Sequence, residues 1–183
     1  MFTHIFLNGT VGVGKSTTAD EIAVILAEAG VPHAVIDLDG LRRSWPCNDR
    51  DPFNHEIEMQ NLSAVASNYR AAGAEVLVLA GVLEDRDEIP RYRAACGGGP
   101  MAVCRITADE AAGEARLRGR HHASDDELKW HLARFKELSS IIDEAGAFDA
   151  VFDSTQRKVR DVAVDVIGYS NPDLLERLDA PED

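Results

Sequence analysis

The stretch that most constrains the fold of this chain is Gly9-Thr10-Val11-Gly12-Val13-Gly14-Lys15-Ser16, set between an apolar run and a helical pattern. His4-Ile5-Phe6-Leu7-Asn8 reads as a short buried strand. The segment from Lys15 to Ala29 reads as a helix, with Ala19, Ile22, Ala23 and Leu26 at helical spacing and Gly30 and Pro32 as stop signals. A strand that turns through glycines straight into a helix is the Walker A unit, and each of its requirements has a residue here. Glycines let the backbone N–H groups of the Gly9–Gly14 loop close around phosphates at a helix N-terminus, Lys15 neutralises β/γ charge, and the Ser16 hydroxyl, followed by Thr17, is placed to ligate Mg²⁺. The ligand such a loop is built to hold is a nucleoside triphosphate, ATP in the simplest reading. The bland alternative is a glycine-rich turn opening an ordinary helix, but chance agreement of the loop with both its strand and its helix is rare.

Strands alternate with helices over the rest of the chain. Further strands are expected at His33–Asp37, Glu75–Ala80, Met101–Ile106 and Ala150–Asp153, the run Val76-Leu77-Val78-Leu79 having the two-sided apolar character of a central parallel strand. Helices are expected from Glu88 to Cys96, from a capping box at Thr107-Ala108-Asp109-Glu110 to about Arg118, from Ser124 onward along Leu128, Leu132, Phe135, Leu138 and Ile142, and from about Val159. Gly97-Gly98-Gly99-Pro100 reads as a turn. The pattern implies a single α/β domain: a five-stranded parallel sheet with helices on both faces, the three-layer α/β/α P-loop NTPase fold, with ligands at the carboxyl ends of the strands. Residues 40–73, largely helical but interrupted near Pro46 and Pro52, are long enough to form a flap over the cleft. Residues 116–125 read as a lid, and residues from 171 as a turn, a short helix and an acidic tail.

A formal charge of −13 argues against a general nucleic-acid or anionic-membrane surface, since both draw on exposed positive charge, so anion binding has to be local. Arginine supplies 15 of the 19 basic residues, which suits bidentate phosphate contacts but equally fits a compositional bias. Cys47, Cys96 and Cys104 show neither metal spacing nor an even disulfide framework and are expected to be packing residues of a protein in a reducing cytoplasm. No secretory or membrane-spanning apolar stretch is evident, so a soluble monomer or homodimer is expected.

Phosphoryl transfer requires charge neutralisation, a metal and an acceptor oxygen held in line with the leaving group. Asp37-Leu38-Asp39 puts two carboxylates at a strand end. Asp37 is assigned to Mg²⁺ and Asp39 to orienting or deprotonating an acceptor hydroxyl. The reverse assignment, and a helix-capping role for Asp39, stay open. Arg116 and Arg120 stand at i and i+4 just before His121-His122, so both can point from a lid onto a triphosphate, although a solvated helix end would show the same spacing. Adjacent His121 and His122 lack further ligands and are expected to be exposed lid residues. Trp45, Phe53 and His55 lie in the flap as candidates for an acceptor pocket or for core contacts.

With these residues in view, the chain resembles the small-molecule kinases of the P-loop class, particularly adenylylsulfate kinase, and more distantly shikimate kinase and chloramphenicol phosphotransferase. Beyond the Walker A loop, Asp37-Leu38-Asp39-Gly40-Leu41-Arg42 looks like the D-x-D-x-x-R stretch of adenylylsulfate kinases, and Asp85-Arg86-Asp87-Glu88-Ile89-Pro90-Arg91 is similar to their D-R-D-x-x-R segment. The resemblance implies an ATP- and Mg²⁺-dependent phosphotransferase acting on a small molecule, with Asp39, Arg42, Arg86 and Arg91 near the acceptor and Gln156, in the loop after the last strand, near the adenine. Two departures count against adenylylsulfate itself: Arg116-Leu117-Arg118-Gly119-Arg120 replaces a K-G-L-Y type lid, and Ala80-Gly81-Val82 replaces a proline-bearing turn. A nucleoside monophosphate kinase, drawing on Arg42, Arg43, Arg50 and Arg70, is a rival. So is a non-metabolic ATP-binding regulatory or toxin-like module. A GTP switch would read Asp37-Leu38-Asp39-Gly40 as D-x-x-G, but no N-K-x-D string accompanies it.

Overall fold

The first strand is apolar on both faces, which places it between two helical layers. In a computed structural model that describes residues 4–120 and 125–173, without the side chains of 120–128, this strand, β1 (His4–Asn8), is wholly buried. The remaining strands are β2 (His33–Asp37), β3 (Val76–Gly81), β4 (Met101–Thr107) and β5 (Ala150–Asp153). They pair only in parallel, in the order β2-β3-β1-β4-β5. The expected five-stranded parallel sheet is therefore present, in the three-layer P-loop arrangement.

Alternation along the strands sends side chains to opposite cores. Ile5, Leu7, Val76 and Val78 pack against Ile22, Ile25 and Leu26 of α1 (Lys15–Glu28) and against Val162, Val166 and Ile167 of α7 (Val159–Ser170). Phe6, Leu77 and Leu79 face Met59, Leu62 and Ala66 of α3 (His55–Ala71) and Tyr92 of α4 (Ile89–Ala95). Each Val, Leu, Ile, Met or Phe among them contributes about 1.5–3 kcal/mol when fully buried, so both layers hold the sheet firmly while its carboxyl end stays open.

Local chemistry departs from expectation at some element ends. The Asp37 carboxylate caps the short α2 (Leu38–Leu41) by accepting from Asp39 N at 3.0 Å, so the capping role weighed for Asp39 belongs to Asp37. Helix α5 (Glu110–Arg120) is capped by Asp109, whose Oδ1 accepts from Ala112 N at 2.7 Å. Thr107 is unavailable for that role because it pairs with Asp153 in the sheet. The cap expected at Ser124 for α6 (Asp125–Ala145) falls outside the described residues, as do His121 and His122. Between residues 40 and 73, Asp51 starts α3 by accepting from His55 N at 2.7 Å and Glu56 N at 2.9 Å, while Asn54 Nδ2 donates to the Arg42 and Ser44 carbonyls at 2.9 and 3.0 Å. Cys96 and Cys104 are buried, and burial pushes both thiols up to about 12, whereas Cys47 is exposed and is no packing residue.

Candidate active site

The loop between β1 and α1 has the backbone of a phosphate cradle. Gly9, Gly12 and Gly14 take φ values of 155°, 83° and 98°, and Gly12 and Gly14 lie in the left-handed region that disfavours side chains. At Gly9 a methyl group would also stand 2.5 Å from the Ile106 carbonyl oxygen, so the loop lies directly on β4. Lys15 is nearly buried and its Nζ donates to the Thr10 carbonyl at 3.0 Å, folding the ammonium back over the loop. Val11 is partly buried, Thr10 and Val13 are buried, and Thr17 sits exposed in the first turn of α1.

The end of β2 meets this loop. Ser16 Oγ donates to Asp37 Oδ2 at 3.2 Å, bringing together the two oxygens assigned to Mg²⁺ from sequence. A hydroxyl and a carboxylate with open solvent beside them match the way Mg²⁺ is held in phosphoryl-transfer sites, through few protein oxygens, with phosphates and waters completing the shell. Among the described residues no cluster of three or more His, Cys, Asp and Glu side chains is set to hold a metal by itself.

A cavity of about 590 Å³ runs from the cradle across the carboxyl edge of the sheet. Gly12, Gly14, Lys15 and Ser16 line one end, and Asp39, Arg42, Phe53, His55, Tyr92 and Trp130 line the rest. Asp39 and Arg42 thus share a wall, with Arg42 Nε 3.8 Å from Asp39 Oδ1. Trp45, the third flap candidate, is 90% exposed and does not contribute.

Behind that wall is a polar network that sequence reasoning missed. Glu58 is fully buried on α3, its Oε2 contacts Arg42 Nη2, its Oε1 accepts from the Tyr92 hydroxyl at 2.7 Å, and His55 Nδ1 lies 4.0 Å away. Burial raises the Glu58 carboxyl above its ordinary range against the opposing pull of Tyr92 and Arg42. It also raises the Tyr92 phenol, with the Glu58 charge adding to the effect. His55 Nε2 reaches Glu88 at 3.1 Å. Asn8, at the end of β1, closes the floor: its Oδ1 accepts from Leu83 N at 2.9 Å, and its Nδ2 donates to the Leu83 and Ala147 carbonyls at 3.0 and 3.2 Å. Leu83, Glu84 and Asp85 are held in the cavity by this staple.

Arg116 lies beside the cradle. Its Nη1 donates to the Val13 carbonyl at 3.1 Å and to Ser154 Oγ at 3.0 Å, and its Nη2 donates to the Ser154 carbonyl at 2.6 Å. The side chain of Arg120 falls outside the described residues. Gln156 is exposed after β5 in a loop pinned by Thr155 Oγ1, which donates to Asp153 at 2.6 Å; that bond is the main reason the Asp153 carboxyl lies below its ordinary range.

Arg86 and Arg91 are not brought into the cavity wall. Arg86 Nη1 donates to the Gly146 carbonyl at 2.7 Å, and Arg91 forms ion pairs with Glu56 at 2.6 Å and Glu88 at 3.6 Å. Arg70 is at the opposite edge of the sheet, donating to the Cys96 carbonyl at 2.6 Å and contacting His4 at the start of β1. The long-range partners of these arginines carry no local sequence pattern.

Among the described residues no helix is long and apolar enough to cross a membrane. The fold is similar to that of Mycobacterium tuberculosis APS kinase in complex with AMPPNP and APS, with 22% identity, a TM-score of 0.60, and 96% of this chain and 98% of that chain covered. It is also similar to the Deinococcus radiodurans tunicamycin resistance protein (19% identity, TM-score 0.59, 93% and 96% covered) and to Acinetobacter baumannii shikimate kinase in complex with shikimate (16%, 0.57, 92% and 93%). At such identities these likenesses establish the fold. No curated protein sequence gives a significant match. The family model described as AAA domain matches residues 5–137, from β1 into α6, and the chain belongs to this P-loop family.

Proposed function

We propose that this protein is an ATP-dependent phosphotransferase that moves the γ-phosphoryl group to a hydroxyl of a small molecule. The observation that carries the reading is that one cavity is lined both by the cradle residues Gly12, Gly14, Lys15 and Ser16 and by the carboxylate of Asp39. A donor phosphate and an acceptor hydroxyl can therefore share one cavity. In the reaction the acceptor oxygen bonds to the γ-phosphorus, the bond to the β-phosphate oxygen breaks, the hydroxyl proton passes to Asp39, and ADP leaves. Lys15 holds phosphate charge, and Arg116, braced on Val13 and Ser154, stabilises the charge that develops in transfer. Mg²⁺, held by Ser16 and Asp37, would neutralise phosphate charge. Engagement of Asp37 with Ser16 favours Asp37 for the metal and Asp39 for the acceptor over the reverse. Arg42 borders the acceptor, Arg120 joins from the lid, and Gln156 borders the adenine. The three free cysteines suit a reducing cytoplasm.

The placement of Arg70 at the far edge of the sheet and the pairing of Arg42 with Glu58 weaken the nucleoside monophosphate kinase reading. Coupled ADP release across hydroxylated antibiotics, sugars, nucleosides, nucleotides and sulfate esters tests the proposal. Acceptor-dependent release should fall about 10²-fold or more in Asp39→Asn while nucleotide affinity holds. A flat panel with intact ATP binding would favour a regulatory module instead.

A further inference from the structure

Among the described residues, the acceptor end of the cavity holds more carboxylates than cations, and its arginines already face carboxylates. Asp39, Glu84, Asp85 and Glu88 line it, against the guanidinium groups of Arg42 and Arg134. Arg42 is flanked by buried Glu58 and by Asp39. Arg134 sits between Glu84 at 3.0 Å and Glu137 at 2.8 Å, with its guanidinium 5.6 Å from the centre of the Phe53 ring. Of the imidazoles, His55 faces Glu88, and His131 stands edge-on to Trp130. An anionic acceptor would have to enter among these carboxylates and share Arg42 with Glu58 and Asp39, whose charges already offset that guanidinium. Phe53, Val82, Trp130 and Leu138 supply an apolar wall between the charges.

Building on the phosphotransferase reading, we infer that the acceptor is a hydroxylated small molecule without an anionic group, neutral or cationic, that presents an apolar or aromatic face to Phe53 and Trp130. Nucleoside monophosphates, sulfate esters and hydroxycarboxylates are excluded by the same charges.

Binding of three matched probes tests the inference separately from catalysis. Trp45→Phe removes the exposed tryptophan outside the cavity and leaves Trp130 as the reporter. With AMPPNP saturating, this protein is titrated with 3-phenyl-1,2-propanediol (neutral), phenylalaninol (cationic) and 3-phenyllactate (anionic). The dissociation constant for the anion should exceed both others by about tenfold or more at low ionic strength, and the gap should narrow in about 0.5 M salt. Anion binding as tight as that of the diol, or no response of Trp130 to any probe, overturns the inference. Glu58→Gln, whose amide oxygen can still accept from Tyr92, frees Arg42 and should shrink the anion penalty by about threefold or more. Glu84→Gln does the same for Arg134 without altering a buried group. An unchanged penalty in both variants overturns the role given to these pairs. A protein that binds the diol but phosphorylates no neutral or cationic alcohol fails the phosphotransferase reading and keeps the charge inference.

Discussion

Asn8→Ala removes the staple that joins β1 to the loops after β3 and α6. The side chain makes three buried hydrogen bonds, at 2.9 Å from Leu83 N and at 3.0 and 3.2 Å to the Leu83 and Ala147 carbonyls. A buried hydrogen bond contributes about 1 kcal/mol net, and a stranded partner costs about 1–3 kcal/mol. Loss of about 3–5 kcal/mol follows, a large part of a total stability of about 5–15 kcal/mol. For a chain of this size that lowers Tm by roughly 6–20 °C, since each kcal/mol shifts it by about 2–4 °C. Urea unfolding monitored by far-UV circular dichroism measures the midpoint, which should fall with little change in slope. Asn8→Asp sharpens the test: it keeps the acceptor for Leu83 N but sets a carboxylate against two carbonyl oxygens, and should be at least as destabilising. A loss below about 1 kcal/mol in Asn8→Ala would refute the view that this residue holds the cavity floor.

Other consequences follow from the cradle and from the start of α3. Arg116→Ala should raise the KM for ATP and lower kcat by about 10²-fold or more, as expected for lost charge stabilisation, whereas Arg116→Lys should recover only part because it cannot span Val13 and Ser154 together; steady-state kinetics decides, and unaltered kinetics contradicts the role. Gly9→Ala should cost about 2–4 kcal/mol in urea unfolding, because the new methyl group meets the Ile106 carbonyl of β4, and near-neutrality would mean the loop is not pressed on the sheet. Asp51 has its carboxyl held below the ordinary 3.8 chiefly by the Glu56 and His55 amides. A depressed folded value means the stabilisation is complete above about pH 4 and is lost as pH falls through the folded value. Hydrogen exchange at the His55 and Glu56 amides should therefore gain opening as pH drops below 4, after correction for intrinsic rates, and Asp51→Asn should show little of that dependence.

Features written in local spacing were legible in the sequence. The ends of β1, β2 and β5 match the expected strands because each apolar run is bounded by loop or helix signals, and the phosphate loop announces itself through glycines whose φ values other residues resist. Ser16 and Asp37 can meet because the strands run parallel, so β2 ends at the same edge of the sheet as the cradle. Glu58 was illegible for the opposite reason: a glutamate in an ordinary helical pattern becomes a buried acid only because Arg42 and Tyr92 arrive from other elements. Arg86 and Arg91 show the same blindness in reverse. Their likeness to the D-R-D-x-x-R segment of adenylylsulfate kinases implies a place near the acceptor, while in the structure they bind Gly146, Glu56 and Glu88, partners that no local pattern announces. Thr107 matched a capping box and was claimed instead by pairing with β5, a tertiary contact that outweighs a local one.

The central claim is that the loop from Gly9 to Thr17 and the carboxylate of Asp39 form the two halves of one phosphoryl-transfer site. Incubation with ATP labelled in its terminal phosphate and a panel of neutral and cationic alcohols, followed by mass spectrometry of the small molecules, measures this directly. Label should appear on an alcohol oxygen with wild-type protein and vanish with Lys15→Ala, whose circular dichroism and melting should show an intact fold. Label released only as inorganic phosphate, or transfer undiminished in Lys15→Ala, would contradict it.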